Sequence, residues 1–151
     1  MLYFAFGGNL STDYIHQSCP SATFHSVYEL KGFELYFAGT SKTYGYMGCC
    51  NIRHNPLGSV WGVLWDIPAN EIPKLDMEEG VGTDYEVGDH NTYERVYSKT
   101  ESGERFFLYY LVHPRVPNPP RMDYFLTVLE GYEEHGLDIR ELNKAYLRSR
   151  R

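Results

Sequence analysis

Two short segments of this chain carry residue types and spacings that could do chemistry. The first is Gly7-Gly8-Asn9, which follows an apolar run and precedes a helix-like stretch. Paired glycines let a backbone approach a ligand closely, and successive N–H groups at a helix start attract anions. The segment lacks the Lys-Ser/Thr of a P-loop and the third glycine of a dinucleotide site. A carboxylate suits it better than a nucleotide, and a plain strand-to-helix turn is the alternative. The second is Leu75-Asp76-Met77-Glu78-Glu79-Gly80-Val81. Gly80 is a natural helix stop, so Glu79 leaves the helix at its negative end, which disfavours ionisation by about 0.3–1 kcal/mol. Burial among aromatic side chains would raise its pKa further, toward the range an acid/base needs. The alternative is a solvated acidic helix end, and Asp76 and Glu78 are read in that way.

Other chemistries find little support. The six histidines show no i,i+4 pair and no metal-ligand spacing. There is no Gly-x-Ser-x-Gly elbow, and no base or oxyanion site stands out for a cysteine nucleophile. In Tyr109-Tyr110, strand alternation lets only one side chain face a pocket.

The elements that position these segments follow from pattern. Leu2–Phe6 reads as a first strand and Ser11–Ser18 as a short helix stopped by Pro20. Val27–Phe37 has strand composition with a break at Lys31-Gly32, and Tyr44–Gly48 reads as loop. Val60–Ile67 is apolar enough for a central strand. A helix with Asn70 as N-cap, Pro73 in its first turn and Ile72 and Leu75 buried leads to Glu79. Tyr93–Lys99 and Arg105–Val112 form a hairpin, and His113–Pro120 is an extended connector. Two helices close the chain. Met122, Phe125, Leu129 and Tyr132 share a face of the first, which Gly136 ends. Ile139, Leu142 and Tyr146 form the stripe of the second, with Asp138 and Glu141 as a capping-box-like start.

The 151 residues suit a single domain spanning 1–151, and 16% aromatic content favours a β-rich core. A net charge of −6 argues against nucleic acid and fits a small-molecule partner. No segment is long and apolar enough for a membrane, and no export signal is evident. Cys19, Cys49 and Cys50 lack metal or disulfide spacing and read as reduced thiols of a cytoplasmic protein. Nothing fixes the oligomeric state.

Several segments taken together resemble the γ-glutamyl cyclotransferase-like family, which includes the AIG2-like proteins. Tyr3-Phe4-Ala5-Phe6-Gly7-Gly8-Asn9-Leu10 is similar to its Tyr-Phe-Ala-Tyr-Gly-Ser-Asn-Leu opening. Val60–Trp65 followed by Leu75-Asp76-x-x-Glu79-Gly80-Val81 resembles its central strand and catalytic helix end. Tyr110-Leu111 matches its late-strand tyrosine, and Glu134-His135-Gly136-Leu137 its animal-type tail.

The resemblance implies an α+β fold, a small bent mixed β-barrel flanked by helices with two C-terminal helices. It implies cyclisation of a γ-glutamyl amino acid or γ-glutamyl amine to 5-oxoproline, with release of the amine and with no metal or cofactor. Glu79 would be the acid/base, and Phe6, Gly7, Gly8, Asn9, Leu10 and Tyr110 would bind substrate. The loop departs from the family at two points, with Phe6 for its tyrosine and Gly8 for its serine. The polar stretch Gly82–Thr92 is placed as a lid that selects the amine. Removal of a γ-glutamyl protecting group from a biosynthetic intermediate, or a binding module without turnover, are the alternatives. Glutathione itself is disfavoured, because the glutathione-specific relatives have a different loop pattern.

Overall fold

The computed structural model describes residues 1–41, 47–81, 93–113 and 115–151. Strand β1 (Leu2–Ala5) leads through a 3₁₀ turn (Gly8–Leu10) into helix α1 (Thr12–Ser18). Strands β2 (Thr23–Ser41) and β3 (Met47–Asp66) follow, then a second 3₁₀ turn and α2 (Ile72–Glu78). Strands β4 (Glu94–Lys99) and β5 (Arg105–Tyr110) precede helices α3 (Met122–Glu134) and α4 (Arg140–Ser149). The lid expected at Gly82–Thr92 and the loop residues Tyr44–Tyr46 lie outside the described residues, whereas Met47 and Gly48 belong to β3.

The sheet has the order β2-β3-β1-β5-β4 and is mixed, with β1 and β5 parallel and its other pairs antiparallel. The expected bent barrel is not formed. Closure would require the edge strands β2 and β4 to bond to each other, and among the described residues no pairing joins them. The outer edge of β2 has other partners. The Leu35 carbonyl accepts from Arg148 of α4, the Phe37 carbonyl from the Asn118 N–H and the Gly39 carbonyl from the Asn118 amide. The proline-rich connector and α4 thus cap the edge that a barrel would have joined, which also protects it from foreign strands.

β1 is short but central, and its alternation sorts the core. Tyr3 shares a face with Trp65, its partner on β3, and with Phe107 and Tyr109 of β5, its ring 5.4 Å and 5.6 Å from theirs. Phe4 looks the other way, onto Tyr28 and Phe106. Both faces are buried, and each large side chain removed from water contributes about 1.5–3 kcal/mol before entropy is charged against it. The break expected at Lys31-Gly32 is a bulge within a continuous strand.

Candidate active site

Glu79 owes its place to the way α2 ends. Pro73 sits in the first turn, where a missing N–H costs nothing, and Ile72 and Leu75 anchor the helix in the core. Asn70 does not cap it; the helix grows directly out of the preceding 3₁₀ turn, with Glu71 in helical conformation at the cap. At the far end the Val81 N–H bonds to the Asp76 carbonyl at 2.9 Å and the Gly80 N–H to the Met77 carbonyl at 3.1 Å. This paired arrangement needs a left-handed residue after the cap, and Gly80 supplies it at φ 79°. Glu79 is therefore the C-cap, turned in toward the sheet, while Glu78 points to solvent.

The glycine loop meets Glu79 from β1. Leu10 N–H to Gly7 carbonyl and Ser11 N–H to Gly8 carbonyl close the 3₁₀ turn, and the Ser11 hydroxyl caps α1 by accepting from the Tyr14 N–H. The turn throws the Asn9 side chain back under the sheet. Its amide donates to the Tyr3 hydroxyl at 3.1 Å and to Glu79 Oε1 at 3.2 Å. The loop itself is clamped from outside: Trp65 Nε1 donates to the Asn9 carbonyl, and His135 Nε2 lies 2.7 Å from the Leu10 carbonyl. Gly7 permits close approach, but to protein, since a Cβ there would stand 2.9 Å from the Cys50 Cβ and 3.2 Å from the Tyr124 hydroxyl.

Around the carboxylate the chain gathers tyrosines. Tyr3 and Tyr109 lie on the same sheet face, and Tyr93, whose hydroxyl donates to the Cys50 carbonyl at 2.7 Å, feels the Glu79 charge as well. Asp76 is more than an exposed acid. It is half-buried, paired with Arg95 at 2.8 Å and accepting from the Tyr109 hydroxyl at 2.5 Å.

Glu79 is half-buried in exposed surface yet deeply surrounded by protein, and this desolvation pushes its pKa up from the usual 4.5 to about 7. The Glu78 charge pushes the same way, and the Asn9 hydrogen bond opposes them. Burial, aided by the Glu79 charge, also raises Tyr3, Tyr93 and Tyr109, so these hydroxyls keep their protons. The result is a carboxyl group poised to exchange a proton near neutrality, held by the Asn9 amide, with neutral tyrosine hydroxyls among the groups its charge acts on. Among the described residues no three His, Cys, Asp or Glu side chains gather as a metal set.

Of the residues singled out in the sequence, the fold brings Glu79 and Asn9 into contact and places Gly7, Gly8 and Leu10 in the same loop. A Cβ at Gly8 would lie 3.3 Å from the Tyr14 ring. Leu10 is fully buried beneath α3. Phe6, just past the end of β1, packs at a tilt against Phe4, which faces away from Tyr3, with ring centroids 6.1 Å apart. Tyr110 lies on the face opposite Tyr3, edge-on to Phe33, and it is Tyr109 that stands beside Tyr3. Sequence reasoning missed Tyr3, Tyr93, Tyr109 and Asp76. The i−3 spacing of Asp76 from Glu79 was the available signal. The tyrosines required the register of β1 on β5. A separate groove of about 290 Å³, lined by Leu35, Val60, Trp61, Tyr132, Glu141 and Lys144 among others, shares none of these side chains.

Comparison with known proteins bears on this arrangement. The model of the AIG2-like family matches residues 59–146. The chain is 34% identical over 142 residues to "Gamma-glutamylcyclotransferase" of Bos taurus, covering 91% of this chain and 73% of that protein. The protein of that name from Homo sapiens matches with the same figures. A solved structure described as "Gamma-glutamyl cyclotransferase" superposes with a TM-score of 0.76 at 32% identity, covering 95% of this chain and 85% of that one.

Proposed function

The chain belongs to the AIG2-like, γ-glutamylcyclotransferase family, and from that premise we propose that it converts a γ-glutamyl amino acid or γ-glutamyl amine to 5-oxoproline and the free amine. The observation that carries the reading is Glu79, desolvated to a pKa of about 7 and held by Asn9 of the glycine loop. Ionised Glu79 removes a proton from the substrate α-ammonium. The freed amine attacks the γ-carbonyl carbon, forming the ring C–N bond. As the bond to the departing nitrogen breaks, Glu79 returns that proton to it, and the second proton, shed by the ring nitrogen as it becomes an amide, passes to the released amine as its ammonium proton, so charge and atoms balance without a cofactor.

Because the attack is intramolecular, folding the glutamyl chain so that amine and carbonyl meet supplies much of the rate. The start of the 3₁₀ turn, at Gly8 and Asn9, is the seat this reading gives the α-carboxylate, through backbone N–H groups. Tyr3, still protonated and accepting from Asn9, offers a neutral hydroxyl beside the reacting atoms. Tyr109 serves this step better than Tyr110, which faces away.

The test is release of 5-oxoproline from a panel of γ-glutamyl amino acids and γ-glutamyl amines. Wild type is expected to release it and Glu79→Gln to lose at least about 100-fold in kcat, the scale of a proton-transfer catalyst. Turnover that survives Glu79→Gln would sink the reading. Binding of a γ-glutamyl amine without any turnover would favour a binding module.

A further inference from the structure

Arg95 and Asp76 form an ion pair that the reaction as written does not use. Asp76 and Glu79 stand three residues apart in the last turn of α2, so their side chains leave the same side of the helix. Both carboxylates act on the Tyr109 hydroxyl, Asp76 through a direct hydrogen bond and Glu79 through its charge. Two carboxylates so placed in a poorly solvated site would repel, and one would be driven to take up a proton. Asp76 instead has both oxygens engaged, Oδ2 by Arg95 Nη1 at 2.8 Å and Oδ1 by Tyr109 at 2.5 Å. The Arg95 guanidinium is itself steadied 5.7 Å over the Tyr97 ring.

We propose that Arg95 is a charge-setting and positioning residue for Glu79: it neutralises Asp76, so that the base feels no second buried carboxylate, and it ties α2 to the β4–β5 hairpin. This rests on the reading of Glu79 as the base. The groups facing Glu79 are Tyr3 from β1, Asn9 from the loop, Glu78 from α2, Tyr93 before β4 and Tyr109 from β5. Of these only Glu78 carries charge at neutral pH, and it is exposed. The shift of Glu79 arises first from desolvation, then from the Glu78 charge, with the Asn9 hydrogen bond opposing both.

The test is ¹³C NMR titration of the Glu79 carboxyl without substrate, assigned by its loss in Glu79→Gln. In Arg95→Gln the midpoint should rise by on the order of one pH unit, a tenfold change in the acid constant, and Arg95→Lys should restore most of it. Asp76→Asn leaves the cation unopposed and should move the midpoint down, while the double variant should return near wild type. An unmoved midpoint in folded Arg95→Gln overturns the proposal. If that variant does not fold, an unmoved midpoint in Asp76→Asn overturns it equally. The titration needs no turnover, so a failure to release 5-oxoproline would count against the proposed reaction and leave this test standing.

Discussion

Glu79 combines two opposed tendencies, and the balance between them is what makes it useful. Desolvation favours its neutral form, while the amide of Asn9 favours its charge. Removing the amide by Asn9→Ala should therefore raise the Glu79 pKa. The acid limb of kcat/KM should move to higher pH, and activity at pH 7 should fall while activity at pH 9 partly recovers; an unmoved limb would show that the bond has no such role. Glu79 was legible in the sequence because a helix-stopping glycine directly after a glutamate dictates where that carboxyl leaves the helix. Asn9 was legible as part of a turn, though not as the partner of Glu79. Tyr3, Tyr93 and Tyr109 were not legible. Their convergence depends on a parallel pairing, Tyr3 with Phe107, between strands a hundred residues apart, which no local pattern encodes. The same register decides that Tyr109, not Tyr110, stands on the Glu79 side.

At the scale of elements, the loop bearing Asn9 is held by α3 as much as by its own turn. Gly131 packs onto it so closely that a Cβ would stand 2.4 Å from the Leu10 Cβ and 3.0 Å from the Ser11 nitrogen. In an open helix, Gly→Ala gains about 1 kcal/mol. Here overpacking of about 1–3 kcal/mol should win. Gly131→Ala is expected to lower Tm by roughly 3–8 °C and to lower kcat through the displaced loop. A rise in Tm would mean that α3 does not press on the loop. Helix and hairpin periodicity gave most elements to within a few residues, but buried faces less well. Tyr124, Phe125, Val128, Gly131 and Tyr132 form the inner face of α3, while Met122, expected there, is exposed. Met122 is the first residue of α3, ahead of the buried run that begins at Tyr124, and a periodicity count does not register where burial begins. The barrel failed for a similar reason, since the capping of β2 by Arg148 and Asn118 comes from segments remote in sequence.

For the molecule as a whole, a desolvated carboxyl costs stability. The pKa of Glu79 is raised in the fold, so its contribution is fully favourable below its unfolded value near 4.5 and is lost as pH rises through about 7. The gap is worth roughly 3 kcal/mol at most. Glu79→Gln should therefore match wild type in denaturant stability near pH 4 and exceed it at pH 8, by up to that amount. Equal stability at both pH values would place the carboxyl in solvent. The Glu34 carboxyl works against this trend; hydrogen bonds from Arg53 and Asn55 and the Arg53 charge outweigh its desolvation and lower its pKa. Comparing wild type with the single variant isolates Glu79 from that background. The most direct test of the central claim is the pH dependence of kcat/KM for 5-oxoproline release. A rise with pH through an inflection near 7, absent in Glu79→Gln, is the predicted result. A profile flat from pH 5 to 9, or one inflecting near an ordinary carboxyl value, would contradict Glu79 as the desolvated base.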